Sequence, residues 1–291
     1  MQPGDEEILK DSGFYWREKH GIKVLISRPL EAAGFTNAFS TRLGGVSPFP
    51  KDALNLAGFN DDSRDNIYEN RRRFLSAVGG DYDLALAFQV HGKTILKVGD
   101  RSTAEDSDTK ADAIMSDAAG VLAAVKTADC VPILVGDPVT GAFAAVHAGW
   151  RGTLQSIVAK AVEELRTSYS SDPHNVIAAI GPSASCEVYE VGPEVIEQFT
   201  RADPATGRYF TATNEDHATI DLPSINRDQL LSSGVRAENI YIAPFCTMSR
   251  TDLFFSYRIE KKTYGNGRML SVIGRPQQSA ASNDVPSSFS S

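Results

Sequence analysis

The sequence predicts a single α/β (α+β) domain, and three observations carry that reading. Short apolar or β-branched segments alternate with amphipathic stretches along most of the chain. Several of the short segments are too apolar for a solvated face, which suits strands covered on both sides. No internal repeat and no linker separates the chain into two parts.

Strands are expected over residues 23–27, 36–40, 85–90, 94–98, 113–115, 122–125, 131–135, 142–147 and 176–180, each short and rich in Val, Ile, Ala or Thr. The clearest helix is expected over 153–167. There Leu154, Ile157, Val158, Ala161, Val162 and Leu165 recur at helical spacing, with Lys160, Glu163, Glu164 and Arg166 opposite. A second is expected over 63–78, where Ile67, Arg71, Phe74, Leu75 and Val78 form a stripe that Gly79-Gly80 stops. A third starts at Asp221-Leu222-Pro223 and ends near Gly234. Residues 1–33 read as an N-terminal extension with the first strand, 34–275 as the main domain, and 276–291 as a mobile polar tail with little to bury.

Composition limits the function classes. With 42% hydrophobic and 23% charged residues over 291, the chain can bury a large core. A net charge of −8 argues against nucleic acid as a partner, because polyanion binding needs many phosphate-neutralising cations on one surface. Local basic residues then point to a small anion. The acidic start, Met1-Gln2-Pro3-Gly4-Asp5, lacks an apolar signal, and no run is long enough to span a membrane, so a cytoplasmic protein is expected. Three Cys without a CxxC pair make no disulfide framework.

The chemistry concentrates in three places. Cys130 closes Lys126-Thr127-Ala128-Asp129-Cys130, His147 opens His147-Ala148-Gly149-Trp150-Arg151-Gly152, and His91 lies in Gln89-Val90-His91-Gly92. Each sits where an apolar segment ends, and strand ends are where α/β sites assemble. Two imidazoles and a thiol suit a zinc ion with one open position. The spacing is too long for a zinc finger, so from spacing alone shared ligation and three separate structural residues both remain open. Asp129 could orient a ligand or move protons, or simply make a turn. Arg42, before Gly44-Gly45, and Arg151, expected just before a helix N-terminus, could clamp phosphate, or form surface salt bridges. Trp150 could stack on a base or fill the core. Cys186 and Cys246 read as structural, and His20, His174 and His217 as solvent-facing.

Taken together, Ser40-Thr41-Arg42 with Gly44-Gly45-Val46-Ser47, Leu54-Asn55-Leu56, Gln89-Val90-His91-Gly92, Thr127-Ala128-Asp129-Cys130, His147-Ala148-Gly149-Trp150-Arg151-Gly152, Gly181-Pro182 with Cys186 and Tyr189, and Phe255-Ser256-Tyr257-Arg258 resemble the laccase-domain family, also called polyphenol-oxidase-like. The resemblance runs in order from about Gly34 to Gly274. It implies a four-layer α/β/β/α sandwich with mixed sheets, and a zinc ion held by His91, Cys130 and His147. It further implies purine nucleoside phosphorylase activity on adenosine, inosine and guanosine, with cleavage of methylthioadenosine and deamination of adenosine, so both transferase and hydrolase chemistry. Partners would be purine nucleosides and phosphate. A laccase in the redox sense is disfavoured, since a multicopper cluster needs many histidines, commonly in His-x-His pairs, and this chain has five His and no such pair.

Within that family reading, Cys130, His147 and Asp129 are the catalytic candidates, with Asp129 as proton shuttle in deamination. Arg42 and Arg151 are the candidates for phosphate, and Ser40 and Arg258 for lining the pocket. Two other classes stay open: a metal-free hydrolase with Cys130 as nucleophile and His147 as base, acting on peptidoglycan precursors or amides, and a non-enzymatic, zinc-stabilised nucleoside-binding protein.

Overall fold

Two mixed β-sheets pack face to face in the computed structural model, which describes residues 4–58, 62–103, 106–262 and 267–277. The first sheet has seven strands, in the order Phe14–Lys19, Ile22–Ser27, Thr36–Ser40, Met269–Gly274, Val121–Thr127, Asp83–Phe88 and Asp106–Lys110. It is antiparallel except at Val121–Thr127 with Asp83–Phe88 and at Asp83–Phe88 with Asp106–Lys110. The second has six strands: Ile240–Ile242, Ile177–Ile180, Val131–Gly136, Phe143–Ala148, Ala113–Ser116 and Ile95–Lys97. A small third sheet joins Glu190–Val191, Ala218–Ile220 and Phe210–Ala212.

Three apolar clusters account for four layers. Alternation along each strand sends one set of side chains inward and the other outward. Leu25, Phe39, Ala123, Val125 and Ile273 of the first sheet meet Ile114, Leu134, Phe143, Ala145 and Ala179 of the second. The opposite face of the first sheet, with Val24, Ala38, Leu122 and Val272, is covered by Phe74, Ala77 and Val78 of the helix Arg64–Val78. The outer face of the second, with Ile133, Val135, Ala144 and Val146, is covered by Ile157, Val158, Ala161 and Leu165, and by Val195, Phe199, Ile225 and Leu230 of two further helices. Each such fully buried Leu, Ile or Phe contributes roughly 1.5–3 kcal/mol relative to exposure. The expected α/β/β/α sandwich is therefore the fold observed.

The expected strands are all present to within a few residues, and three differences from expectation have physical causes. The first strand expected before residue 34, at 23–27, is Ile22–Ser27, and it pairs with a further strand, Phe14–Lys19, in a hairpin at the edge of the seven-stranded sheet. As an edge strand, Phe14–Lys19 ends in exposed charged residues, which hides its strand pattern. The helix expected over 153–167 is two helices, Trp150–Leu154 and Ile157–Tyr169, broken at Ser156 with φ +55°. Apolar residues keep helical spacing across that break, so periodicity cannot reveal it. The segment 193–202, unassigned from sequence, is the helix Pro193–Ala202. The tail reading for 276–291 lies outside the described residues from 278 onward. Among the described residues no helix is long and apolar enough to cross a membrane.

Candidate metal centre

Two of the three candidate ligands lie where the chain passes from one sheet to the other. His91 follows Asp83–Phe88 of the first sheet and precedes Ile95–Lys97 of the second. Cys130 lies between Val121–Thr127 of the first and Val131–Gly136 of the second. His147 stands near the end of Phe143–Ala148, paired with Pro132, so its end of the strand runs alongside Cys130. Gln89 fastens the two crossings together: its amide accepts from Lys126 N–H at 2.8 Å and donates to Lys126 C=O at 2.8 Å.

The ligand atoms of His91, Cys130 and His147 lie within 4.8 Å of one another, the one such group of three or more among the described residues. Cys130 Sγ is 3.9 Å from His91 Nε2, and the two imidazole rings are 4.8 Å apart, edge to face. His147 is buried, Cys130 half-buried and His91 exposed, so the group opens to solvent on one side. Burial pushes the Cys130 thiol up, but the charge of His147 and hydrogen bonds from both imidazoles outweigh it and bring the thiol down to about 6. Burial pushes His147 down, and the Cys130 charge with the Asp112 hydrogen bond overcomes it, raising the imidazole to about 9. A thiolate is the form a metal binds.

Asp112, which sequence reasoning missed, completes the centre. It is fully buried at the start of Ala113–Ser116. One carboxylate oxygen accepts from His91 N–H at 2.8 Å and His147 Nδ1 at 2.9 Å. The other accepts from Gly92 N–H at 2.7 Å and Val90 N–H at 3.2 Å. With Nδ1 so engaged, His147 presents Nε2 to the cluster. Burial raises the Asp112 carboxyl, and its bonds to His147, Gly92 and Val90 more than offset that, leaving it below the ordinary carboxylate range.

Gly149 is the second residue that the sequence left without a role. A Cβ there would meet His91 Cδ2 at 2.9 Å and Cys130 Sγ at 3.0 Å, so the missing side chain is what leaves room over the ligands. Two imidazoles and a thiol with this clearance fit a single metal ion with a position left for substrate or water.

The remaining candidates separate. Asp129 adopts φ +84°, and its carboxylate accepts from Thr247 Oγ1 at 2.8 Å, Ser256 Oγ at 3.0 Å and Arg258 N–H at 2.7 Å. Its carbonyl accepts from Ala184 N–H at 2.9 Å, so Asp129 ties three segments around Cys130. Burial pushes its carboxyl up against those bonds. Arg258 is exposed, donates to Glu190 C=O at 2.9 Å and lies 5.0 Å from the Tyr189 ring centre. Tyr189, named in sequence only as part of a motif, is pushed up to about 12, by burial first and then by the negative charge of Cys130. It therefore borders the centre.

Arg151 is exposed, stacked 4.1 Å from the Trp150 ring centre, and makes no ion pair among the described residues. It is the second residue of the short helix Trp150–Leu154, not a residue preceding a long one. Arg42 departs from the anion-clamp expectation. It is buried, with Nη1 donating to Glu260 at 2.7 Å and to Thr251 C=O at 2.6 Å. Removing it leaves Glu260 buried without its counter-charge, so Arg42→Ala should cost roughly 3–5 kcal/mol. Calorimetry should record a fall in Tm of roughly 5–15 °C. An unchanged Tm with a raised phosphate KM would restore the clamp. Ser40 is likewise buried, its Oγ accepting from Leu270 N–H at 2.9 Å. A cavity of about 520 Å³ between the helices on the second sheet contains none of these residues.

Comparison with known proteins agrees with this architecture. A family model described as multi-copper polyphenol oxidoreductase laccase matches residues 36–276. The purine nucleoside phosphorylase YfiH of Escherichia coli (strain K12) is 36% identical over 252 residues, covering 86% of this chain and 98% of that protein. A purine nucleoside phosphorylase of Deinococcus radiodurans is 35% identical over 250 residues, covering 86% and 92%. The crystal structure of YlmD from Geobacillus stearothermophilus superposes with a TM-score of 0.81 at 31% identity, covering 91% of this chain and all of that one. On the match over 36–276, the chain belongs to the multi-copper polyphenol oxidoreductase laccase family.

Proposed function

We propose that this chain is a purine nucleoside phosphorylase, acting on adenosine, inosine, guanosine and methylthioadenosine, that also deaminates adenosine and works with a zinc ion held by His91, Cys130 and His147. The observation that carries the reading is the convergence of those three donors within 4.8 Å in a group that opens to solvent at His91. Relatives named purine nucleoside phosphorylase, over a third identical, support the substrate class. A single three-ligand cluster among the described residues and five His in the chain speak against a multicopper oxidase despite the family's description. When bound, zinc supplies Lewis acidity and lowers the pKa of water toward about 7.

The chain's own residues supply the rest. Asp112 and Gln89 fix the ligand-bearing crossings, and Asp129 fixes the segment that brings Arg258 beside Tyr189. In phosphorolysis a phosphate oxygen bonds to the anomeric carbon as the bond to the purine breaks. Arg151 and Arg258, both exposed, are the cations proposed to hold that phosphate. Arg42 and Ser40 act from behind, as supports.

The test is to incubate metal-quantified protein with adenosine, with and without phosphate, and follow adenine, ribose 1-phosphate and inosine by chromatography. Adenine and ribose 1-phosphate formed only with phosphate, alongside phosphate-independent inosine, support the reading. Bound nucleoside without turnover would make this a zinc-stabilised binding protein. Amide hydrolysis by metal-free protein would favour the Cys130–His147 hydrolase. In the same assay, Arg151→Gln should raise the phosphate KM and lower phosphorolysis by roughly tenfold or more, the loss of one charge-assisted contact of about 1.5–3 kcal/mol. Deamination should fall less. Equal loss of both, with zinc and Tm intact, would mean that Arg151 positions the nucleoside.

A further inference from the structure

We infer that Asp112 is the positioning residue of the metal centre, a single buried carboxylate that holds the His91 loop and the His147 ring in ligating geometry at once. The inference rests on the metal reading above and goes beyond it, by assigning the pre-organisation of two ligands to a residue outside the ligand set.

His91 cannot hold its place unaided. Its backbone lies at φ +60°, a left-handed conformation that is strained for a non-glycine residue and persists only where the surroundings impose it. The residue is also exposed, so packing does not impose it. What does is the run of three consecutive N–H groups, Val90, His91 and Gly92, which converge on the Asp112 carboxylate. Such a concave run of amides suits an anion. Asp112 is held rigidly in turn: its N–H donates to Thr94 C=O at 2.9 Å, and its C=O accepts from His147 N–H at 2.8 Å. Asp112 is therefore bonded to both histidine segments through backbone as well as side chain.

The carboxylate is chemically required. Each oxygen faces two donors, His91 N–H and His147 Nδ1 on one, Gly92 N–H and Val90 N–H on the other. An asparagine of the same shape can present an acceptor to only one pair. Its NH₂ would then confront the other pair donor to donor, releasing either the His147 ring or the loop. Carboxylates behind metal-bound imidazoles commonly affect metal affinity by roughly 10–100-fold.

The experiment uses the full chain, with zinc and cobalt(II) as probes. Zinc affinity is measured by competition with a chelator, and cobalt(II) loading by its visible absorption, for wild type and Asp112→Asn. The expected result is a roughly 10–100-fold weaker zinc affinity in the variant and an altered cobalt spectrum, with the Tm of zinc-free wild type and variant within a few degrees. Equal affinity and an identical spectrum would overturn the inference. Wild type that takes up neither metal would instead remove the metal reading on which it rests. Should the variant fail to fold, amide hydrogen exchange on zinc-free wild type decides. Protection of Val90, His91 and Gly92 in the absence of metal supports Asp112 as the holder of the loop, and free exchange there overturns it.

Discussion

Cys130→Ala should leave purified protein almost free of bound metal, against about one ion per chain in the wild type. The thiol is the only anionic donor of the three, and the two imidazoles left behind cannot neutralise a divalent cation. Elemental analysis of the two proteins, purified side by side, checks the expectation. Nucleoside turnover should fall to background in the same preparation. The variant should still fold, because Cys130 is half-buried and lies outside the three apolar clusters. Its Tm should drop only by what the metal contributes, so adding a chelator to the wild type should bring the two melting curves together. Full metal retention in Cys130→Ala would remove the proposed centre.

A second large effect is expected from one methyl group. In Gly149→Ala the new Cβ falls 2.9 Å from His91 Cδ2, so that something must shift, and 3.0 Å from Cys130 Sγ, a tight contact. The backbone at Gly149, φ −71° and ψ 174°, accepts alanine without strain, so the damage is steric and local. The exposed His91 ring has solvent to move into, whereas Cys130 sits at a sheet crossing. We expect His91 to swing away, with metal affinity lowered by roughly the 10–100-fold seen when ligand support is lost. Circular dichroism should remain that of the wild type. Unchanged metal affinity in this variant would show that the ligands do not lie beneath Gly149.

These two variants also mark how much of the site the sequence discloses. His91, Cys130 and His147 can be picked out because each follows or ends an apolar segment, and their meeting requires only that the segment ends share one side of the sandwich. Asp112 gives no comparable signal. An aspartate before a strand is most often a turn residue, and only the pairing of Ala113–Ser116 with Phe143–Ala148 brings it against His147. Gly149 is similarly silent, since its role is the space it leaves. Arg42 misleads for the opposite reason: a cation before Gly44-Gly45 reads as a ligand clamp, while its partner Glu260 lies more than two hundred residues away.

The fold follows the same division. Apolar alternation marks the central strands and the stripes of Arg64–Val78 and Ile157–Tyr169, because burial on a fixed face writes a period into the chain. It does not mark Phe14–Lys19, whose outer half is solvated, or Ser156, whose left-handed backbone interrupts a helix without interrupting its apolar spacing. Pairing is invisible as well. Met269–Gly274 joins Thr36–Ser40 to Val121–Thr127 in the middle of the seven-stranded sheet, a pairing between segments distant in sequence that no local pattern encodes.

X-ray absorption at the zinc edge of the purified, active protein tests the metal centre most directly. One sulfur neighbour at about 2.3 Å and two imidazole nitrogens at about 2.0–2.1 Å are expected, with a lighter atom filling the open position. A shell without sulfur, or a site holding copper in place of zinc in protein that cleaves nucleosides, would contradict that centre.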